Sequence, residues 1–419
     1  MTAIPTPAAV QPDRGFRNRL IASGGEDLKK CFQCATCSVV CELSTARQPF
    51  PRKEMLWAQW GLKDRLLADV DIWLCHHCND CTSRCPRGAR PGDVMAAVRR
   101  EAILHYSAPQ WLGNCVSQPH CLPFLLLLPC VLLGLVAWGS RPLEKLFAAS
   151  TSSNRIIISY WSQLPQWLLI AFFATLVLLD AVVIILGVSR FWRDLNARGQ
   201  AMGFADNREH EKQSIAASIR TTLRNILLHE DFDRCTFNHP RMNSHRFVLF
   251  GFVGLLVVDL WVLTVRFNPL LKDAFVYPFN FWSPWKILAN LAGGAMLLGC
   301  SLMVRDRTVH STPAGTLYEG TLFKGTLFKG TLFKGTWFDW MFLGLALATV
   351  LTGFGCEILH YARVDPLRYM VYVVHLATVF ALIVLLPYSK FAHMIYRATA
   401  MVYAAHTGRQ RQGGPSEFE

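Results

Sequence analysis

The chain of 419 residues carries little charge, since only 17% of its residues are Asp, Glu, Lys or Arg, against about a quarter in soluble domains. Hydrophobic residues make up 52% of the sequence, and the mean hydropathy is +0.26. This scarcity of charge excludes an ordinary water-soluble protein and indicates membrane spans. The length is enough for two or three domains.

Several motifs of catalysis and export are also absent from the sequence. It contains no Gly-rich nucleotide-binding fingerprint, no flavin motif and no obvious catalytic nucleophile, which favours a subunit that leaves substrate chemistry to its partners. Met1–Arg19 is polar and rich in Pro, without the apolar core of a signal peptide. We therefore expect the N-terminal part to lie in a reducing cytoplasm.

The net charge of +13 does not indicate a nucleic-acid partner, because the basic residues lie in connections between apolar stretches. Lys and Arg occur nine times in 190–244 and five times in 305–335, but once in 267–284 and twice in 361–368. Basic loops remain on the cytoplasmic side of membranes. The distribution predicts a multi-pass protein of the inner membrane with both termini in the cytoplasm.

Six apolar stretches have the length of a membrane span. The first is the weakest, because Pro123 and Pro129 interrupt it, and Pro387 predicts a kink in the last. The predicted spans are 122–139, 165–189, 246–266, 285–304, 337–360 and 369–395. Around them we predict a flexible leader (1–25), a small soluble domain (26–108), a linker (109–121), a membrane domain (122–398) with a cytoplasmic repeat loop (315–336), and a cytoplasmic tail (399–419).

Eight of the 14 cysteines form two groups with the spacing C-x2-C-x2-C-x3-C, over 31–41 and 75–85, which is typical of ferredoxins with [4Fe–4S] clusters. Three thiolates at intervals of three residues can hold three corners of one cluster, while the fourth is displaced and reaches the other cluster. The predicted ligands of the first cluster are Cys31, Cys34, Cys37 and Cys85, and those of the second are Cys75, Cys78, Cys81 and Cys41.

A pair of zinc sites is the alternative reading of the cysteines. Zinc usually takes four ligands from two C-x2-C knuckles, and two complete copies of a four-cysteine motif fit iron–sulfur clusters better. His76 and His77 lie inside the second motif, where they could tune the potential of a cluster through hydrogen bonds to sulfur.

Histidines in membrane spans are candidates for function, because they are costly there without a role. His375 and His393 are eighteen residues apart in the last apolar stretch, which corresponds to five turns and about 27 Å of one helix. Such spacing suits two haems stacked in one helical bundle. Asp259, Glu357, His360 and His375 all map to the outer half of their spans, where acid–histidine pairs could serve quinone chemistry as proton carriers. Asp180 lies in the second span, where it could pair with a basic residue inside the bundle.

The stretch from Gly24 to Ile103, with LKKCFQCATCSVVC and WLCHHCNDCTSRCPRGARPGDVMAAVRR, resembles the C subunit of heterodisulfide reductase. A domain of this kind followed by a membrane cytochrome is similar to the QmoC-type subunit of quinone-interacting membrane-bound oxidoreductases. The resemblance implies a mainly α fold, in which a small helical ferredoxin-like domain with two [4Fe–4S] clusters precedes a six-helix transmembrane cytochrome b bundle.

The segment Tyr372–Met394 resembles the last helix of the nitrate-reductase gamma type of cytochrome b. In that family two histidines of this helix each ligate a b-type haem, with partners ten residues apart on an earlier helix. The resemblance implies an inner haem between His245 and His393, with His239 as a fallback for His245. The second partner position is Leu255, so an outer haem would need His360 as the partner of His375. The predicted cofactors are therefore two [4Fe–4S] clusters and one or two b-type haems, with menaquinone or ubiquinone as substrate.

The resemblance also implies partners, namely cytoplasmic flavoproteins similar to the A subunit of heterodisulfide reductase and, beyond them, adenylylsulfate reductase. We thus predict an electron-transfer subunit that does not catalyse turnover alone. A fused C and E subunit of a heterodisulfide reductase is one alternative, and a membrane redox sensor is a more remote one.

Overall fold

The computed structural model describes residues 11–46, 48–121, 123–132, 135, 166–201, 213–228, 239–268, 270–271, 279–309 and 337–409. The described part of the chain is helical and contains no β-strand. The predicted mainly α fold is confirmed. The repeat loop predicted over 315–336 lies outside the described residues.

Short helices build the N-terminal domain. They are α1 (Arg14–Ala22), α2 (Thr36–Val39), α3 (Arg52–Trp60), α4 (Lys63–Leu67), α5 (Asp71–Leu74), α6 (Asp80–Ser83), α7 (Pro91–Tyr106) and α8 (Gln110–Val116), with a 3-10 turn over Glu26–Lys30. The longest of them, α7, begins with a proline in its first turn, where the missing N–H costs no helical hydrogen bond.

The helix α1 replaces part of the flexible leader predicted over 1–25. Asp13 caps α1 by accepting a hydrogen bond from the amide of Phe16 at 2.8 Å. Phe16 and Leu20, four residues apart and therefore on one side of the helix, are fully buried in the core of the domain. The prediction failed here because this amphipathic pair lies beside a segment rich in Pro and Arg. Within the predicted linker 109–121, the chain forms α8.

The first predicted span, 122–139, overlaps only the second of two helices that form a bent pair. They are α8 and a helix over Pro119–Leu132, bent by 98° against each other, and they count as one span if taken together. We name residues 123–132 of the second helix α9. Most of 133–139 lies outside the described residues.

Five further helices in the described part of the chain are long and apolar enough to cross a membrane. They are α10 (Gln166–Ala201), α12 (His239–Phe267), α13 (Pro284–Val309), α14 (Trp337–Ala362) and α15 (Asp365–Val384). The chain is accordingly a multi-pass membrane protein. Between α10 and α12 lies a shorter helix, α11 (Ile215–Leu228).

The last apolar stretch breaks instead of kinking. The helix α15 ends at Val384, a 3-10 turn covers Leu386–Tyr388, Ser389 is extended, and α16 runs from Ala392 to His406. Pro387 has no N–H to continue the α-helical ladder. The prediction of one helix over 369–395, with His375 and His393 on the same face, is therefore wrong.

The helix α16 belongs to the core of the N-terminal domain. Its Tyr396 packs against Trp73 of α5, with ring centroids 5.5 Å apart, and against Phe191 of α10 at 5.6 Å. Tyr106 of α7 completes this cluster, 5.1 Å from Phe191. Burial of each large apolar side chain contributes about 1.5–3 kcal/mol. The soluble domain and the helices at one end of the membrane bundle consequently share one hydrophobic core, and residues 399–406 of the predicted tail belong to α16.

Candidate metal centres

Three cysteines of the first group and one of the second surround a pocket that opens to solvent. Cys31, Cys34, Cys37 and Cys85 line it, together with Phe32, Arg52 and Arg87. Burial raises the pKa of Cys37 to about 11, and the charges of Cys31, Cys34 and Cys85 act in the same direction. The fourth cysteine of the second motif thus lies with the first three of the first motif.

The second group shows the reciprocal arrangement. Burial is the main cause that raises the pKa of Cys41, and the charges of Cys75, Cys81 and Cys78 act in the same direction. The pKa of Cys81 is raised to about 12 by burial and then by Cys75 and Cys78. The structure therefore brings together the two crossed sets of four cysteines that the spacing predicts.

The two cysteine loops have the same backbone conformation at matching positions. Gln33 and Ala35 in the first loop, and His77 and Asn79 in the second, all have φ between 55° and 71°. This left-handed region is uncommon for residues other than glycine. The turns direct main-chain N–H groups towards sulfur, as in the bond from the His77 amide to Cys75 Sγ at 3.4 Å. Strain at both loops is the expected cost of wrapping a chain around a ligand.

The donor set fits an iron–sulfur cluster in both places. Each set consists of four sulfur atoms, which is the coordination preference of Fe–S centres. The raised thiol pKa values of Cys37, Cys41 and Cys81 mean that cluster binding would release protons from these thiols. Main-chain N–H groups near Cys75 and Cys85 would stabilise the sulfur charge.

A family model supports iron–sulfur clusters in preference to zinc. The model of the 4Fe-4S dicluster domain matches residues 27–89, which include all eight cysteines. Residues 27–89 form a 4Fe–4S dicluster domain.

Relatives of the dicluster domain come from heterodisulfide reductases. The C subunit of the H(2):CoB-CoM heterodisulfide,ferredoxin reductase of Methanothermobacter marburgensis is 38% identical over 91 residues, which are 22% of this chain and 49% of that protein. A protein of Archaeoglobus profundus that is like the C subunit of heterodisulfide reductase is 41% identical over 85 residues, 20% of this chain and 45% of the relative. The chain thus spans about half the length of these relatives.

One relative covers both parts of the chain. The citrate utilization protein B of Escherichia coli is 26% identical over 350 residues, which are 81% of this chain and 83% of that protein. No solved structure matches the chain.

Two arginines join the loop of Cys75 to neighbouring helices. Arg397 of α16 donates to the main-chain oxygen of Cys75 at 3.0 Å, and its other nitrogen lies 2.9 Å from His76 Nδ1. Arg99 of α7 donates to the same oxygen at 3.0 Å and lies 3.2 Å from His77 Nδ1. The two histidines inside the motif therefore contact guanidinium groups. Sequence reasoning missed both arginines, because neither stands near a cysteine in the chain.

A buried ionic cluster in the dicluster domain was also missed. Glu54, Asp69 and Asp71 are buried within reach of one another. The ammonium group of Lys53 lies 3.1 Å from each of the three carboxylates, and Arg409, after the end of α16, pairs with Asp71 at 2.9 Å. Since the Lys53 ammonium group contacts all three carboxylates, the cluster is a structural ion network.

The structure places His245 and His393 near each other at the end of the bundle that contacts the dicluster domain. Burial is the main cause that lowers the pKa of His393 to about 3, with a smaller contribution from His245, and its imidazole is therefore neutral. His393 Nδ1 lies 2.5 Å from the main-chain oxygen of Lys390, so that this contact engages Nδ1 and not Nε2. Metal-binding histidines commonly have such a second hydrogen bond. The side chain of His239, the fallback ligand, lies outside the described part.

His375 and His360 are not brought together. His375 Nδ1 lies 3.0 Å from the hydroxyl of Thr352 on α14, where Gly353 allows the imidazole to approach the helix closely. His360 is exposed and follows Thr352 by eight residues, a rise of about 12 Å along α14. The geometry does not support an outer haem held by this pair.

The predicted proton carriers occupy different surroundings. Glu357 pairs with Lys286 of α13 at 3.0 Å and accepts a hydrogen bond from Asn290 at 3.1 Å. Asp259 lies on the exposed side of α12. Asp180 is half-buried on α10, and its charge adds to the effect of burial that raises the pKa of Tyr388 to about 12.

Proposed function

We propose that the protein is the electron-transfer membrane subunit of a quinone-interacting oxidoreductase complex. The observation that carries the proposal is α16, which has a candidate haem ligand, His393, four residues from Arg397, whose side chain contacts the loop of Cys75. Four residues are about one turn of helix. A membrane redox centre and a cluster in the dicluster domain would therefore lie within a short distance of each other.

Each cluster has its own ligand set in this proposal. Cys31, Cys34, Cys37 and Cys85 hold the first cluster, and Cys41, Cys75, Cys78 and Cys81 hold the second. The second set is covered by Arg99 and α16, whereas the first opens to solvent beside the exposed Cys34. The second cluster would thus exchange electrons with the membrane domain, and the first with a soluble partner.

An inner b-type haem would be held by His245 and His393. The neutral imidazole of His393, its Nδ1 hydrogen bond and the nearby His245 all suit axial ligation. Such a haem supplies one-electron transfer between quinone and cluster. We propose this single haem, since Thr352 and not a histidine contacts the His375 ring.

The contact between the dicluster domain and α16 supports a proposed topology. Both ends of the described chain would lie on one side of the membrane, so that the chain crosses it an even number of times. This supports counting the bent pair Gln110–Val116 and Pro119–Leu132 as a sixth span. The basic loops favour the cytoplasm for this side, and the membrane is then the inner membrane.

In this proposal the chain is the QmoC-type subunit of a quinone-interacting membrane-bound oxidoreductase. Its partners would be cytoplasmic flavoproteins similar to the A subunit of heterodisulfide reductase, which would exchange electrons with adenylylsulfate reductase. The resemblance of the sequence supports this part of the proposal. Glu357, Asp259 and His375 remain the proposed proton carriers for the quinone, which would be menaquinone or ubiquinone.

Three measurements test the proposed function. The purified protein should contain iron and acid-labile sulfide for two clusters, one haem per chain, and a reduced haem spectrum after addition of a quinol analogue. Zinc in place of iron, or a preparation without haem absorbance, would refute the proposal. Clusters that are reduced by quinol only far more slowly than the haem would point to a redox sensor.

A further inference from the structure

The helix α11 has an unusual distribution of side chains. Ser218 and Thr222 are only 0% and 3% exposed, so that these small polar residues, with the partly buried Ile226, form the side of the helix that packs against α16. Ile215, Ile219, Leu223 and Leu227 follow each other at intervals of four residues and keep between 44% and 54% of their surface exposed. Residues at this interval line one side of a helix. An apolar stripe therefore faces away from the protein core.

Basic residues border the stripe. Arg220 and Arg224 each follow a stripe residue by one position, which places them in a parallel row about 100° further around the helix. An apolar row beside a cationic row is the pattern of helices that lie in the interface of a membrane, where the apolar side enters the acyl boundary and the cations meet lipid phosphates.

Contacts at both ends of α11 hold it beside α12 and α16. Arg246 donates to the main-chain oxygen of Leu228 at 3.2 Å, and Arg246 lies in the first turns of the span Met242–Phe267. His406, the last residue of α16, lies 2.6 Å from the main-chain oxygen of Gln213 through its Nδ1. The C-terminal end of α11 is thus held where α12 enters the bilayer, on the side of the dicluster domain.

We propose that α11 is an interfacial helix that inserts Ile215, Ile219 and Leu223 into the membrane surface on the side of the dicluster domain, with Arg220 binding the phosphates of anionic lipids. This inference requires only that the chain spans the membrane and does not depend on haem, clusters or quinone. Because α11 packs against α16, binding of α11 to the lipid surface would stabilise the position of the helix that carries His393 and Arg397.

Photo-crosslinking of the full chain tests the proposal. In nanodiscs of phosphatidylethanolamine and phosphatidylglycerol, p-benzoylphenylalanine replaces Ile219 or Leu223, and a matched variant carries it in place of Thr221, which is exposed on another side of the helix. Mass spectrometry should find lipid adducts at the first two positions and few at the third. Adducts to protein at Ile219 and Leu223, or equal lipid adducts at all three positions, would overturn the proposal.

Hydrogen exchange gives a second measurement that needs no photo-reactive residue. In the double variant Ile219→Ser with Leu223→Ser, the backbone amides of 215–228 should exchange hydrogen faster than in the unmodified protein in the same nanodiscs. In the variant Thr221→Ser, the exchange rate should not change. Unchanged exchange in the double variant would contradict insertion. The variant Arg220→Gln should lose the preference for phosphatidylglycerol among the lipid adducts, and a retained preference would refute the role of Arg220.

Discussion

Arg397 donates a hydrogen bond to the main-chain oxygen of Cys75 at 3.0 Å, although the two residues are 322 positions apart in the chain. The same guanidinium group lies 2.9 Å from His76. A charge-assisted hydrogen bond to a carbonyl oxygen fixes geometry as well as adding energy. The bond holds the second cysteine loop on the helix that carries His393.

The variant Arg397→Ala tests this connection. We expect electron exchange between the proposed haem and clusters to slow by about an order of magnitude, because the loop of Cys75 loses the one of its two arginine donors that joins it to α16. Flash reduction followed by absorbance would measure the rate, and haem and iron contents should stay normal. Arg99→Ala is the matched control, since it removes a donor to the same oxygen without touching α16. Equal slowing in both variants would contradict a specific role of Arg397.

Substitution of single cysteines tests whether each cluster takes its fourth ligand from the other motif. Cys85→Ser should perturb the cluster shared with Cys31, Cys34 and Cys37, and Cys41→Ser should perturb the other one, because each set keeps three of its four thiolates. Electron paramagnetic resonance of the reduced protein separates the two signals. Perturbation of the same signal by Cys85→Ser and Cys75→Ser would show that each motif holds its own cluster.

The proposed haem ligands give a third prediction. His393→Ala should abolish the haem spectrum, because the iron loses one of its two axial ligands. His375→Ala should retain the haem, since that imidazole contacts Thr352. Quantification of haem per chain in purified membranes measures both. A normal haem content in His393→Ala would exclude the proposed ligand pair.

The ionic cluster at Lys53 predicts a large effect on stability. Lys53→Met leaves three buried carboxylates without their central cation, and loss of one partner from a buried ion network costs about 3–5 kcal/mol. The midpoint of thermal unfolding, followed by the loss of cluster absorbance, should fall markedly. Lys30→Met, which removes the surface pair with Asp27, should change it little. Similar midpoints for the two variants would contradict the role given to Lys53.

The exposed edge of the first cluster gives a prediction about partners. Phe32 is 66% exposed there, and the guanidinium group of Arg87 lies 4.2 Å from its ring centroid. Aromatic and Arg side chains are enriched among the residues that dominate binding surfaces. If the proposed function holds, Arg87→Glu should slow association with the proposed flavoprotein partner while quinol still reduces both clusters, as stopped-flow kinetics at several salt concentrations would show. Arg14→Glu, on α1, is a control with the same change of charge, and an equal loss in both variants would leave no specific role for Arg87.

Sequence reasoning predicted the grouping of the cysteines and most of the long apolar helices, because both depend on short-range patterns. Spacing within each motif suggests which thiolates share a cluster, and hydropathy over some twenty residues reveals a span. The pairings of Arg397 with Cys75 and of Arg409 with Asp71 join residues more than 300 positions apart, so no local pattern reports them. Pro387 indicates an interruption of the last helix, but whether a helix bends or ends there depends on tertiary contacts such as those of Tyr396.

The place of α16 in the core of the N-terminal domain has a consequence for biosynthesis. Trp73 and Tyr106 leave the ribosome early, but Tyr396, whose ring packs against both of them, is translated only after the last membrane crossing. The N-terminal domain therefore cannot finish its packing until the membrane helices have been translated. If translation stalled before Ala392, the N-terminal domain would lack the side chains of α16 that complete its core. Complete folding of this domain therefore depends on translation of the membrane helices that precede α16.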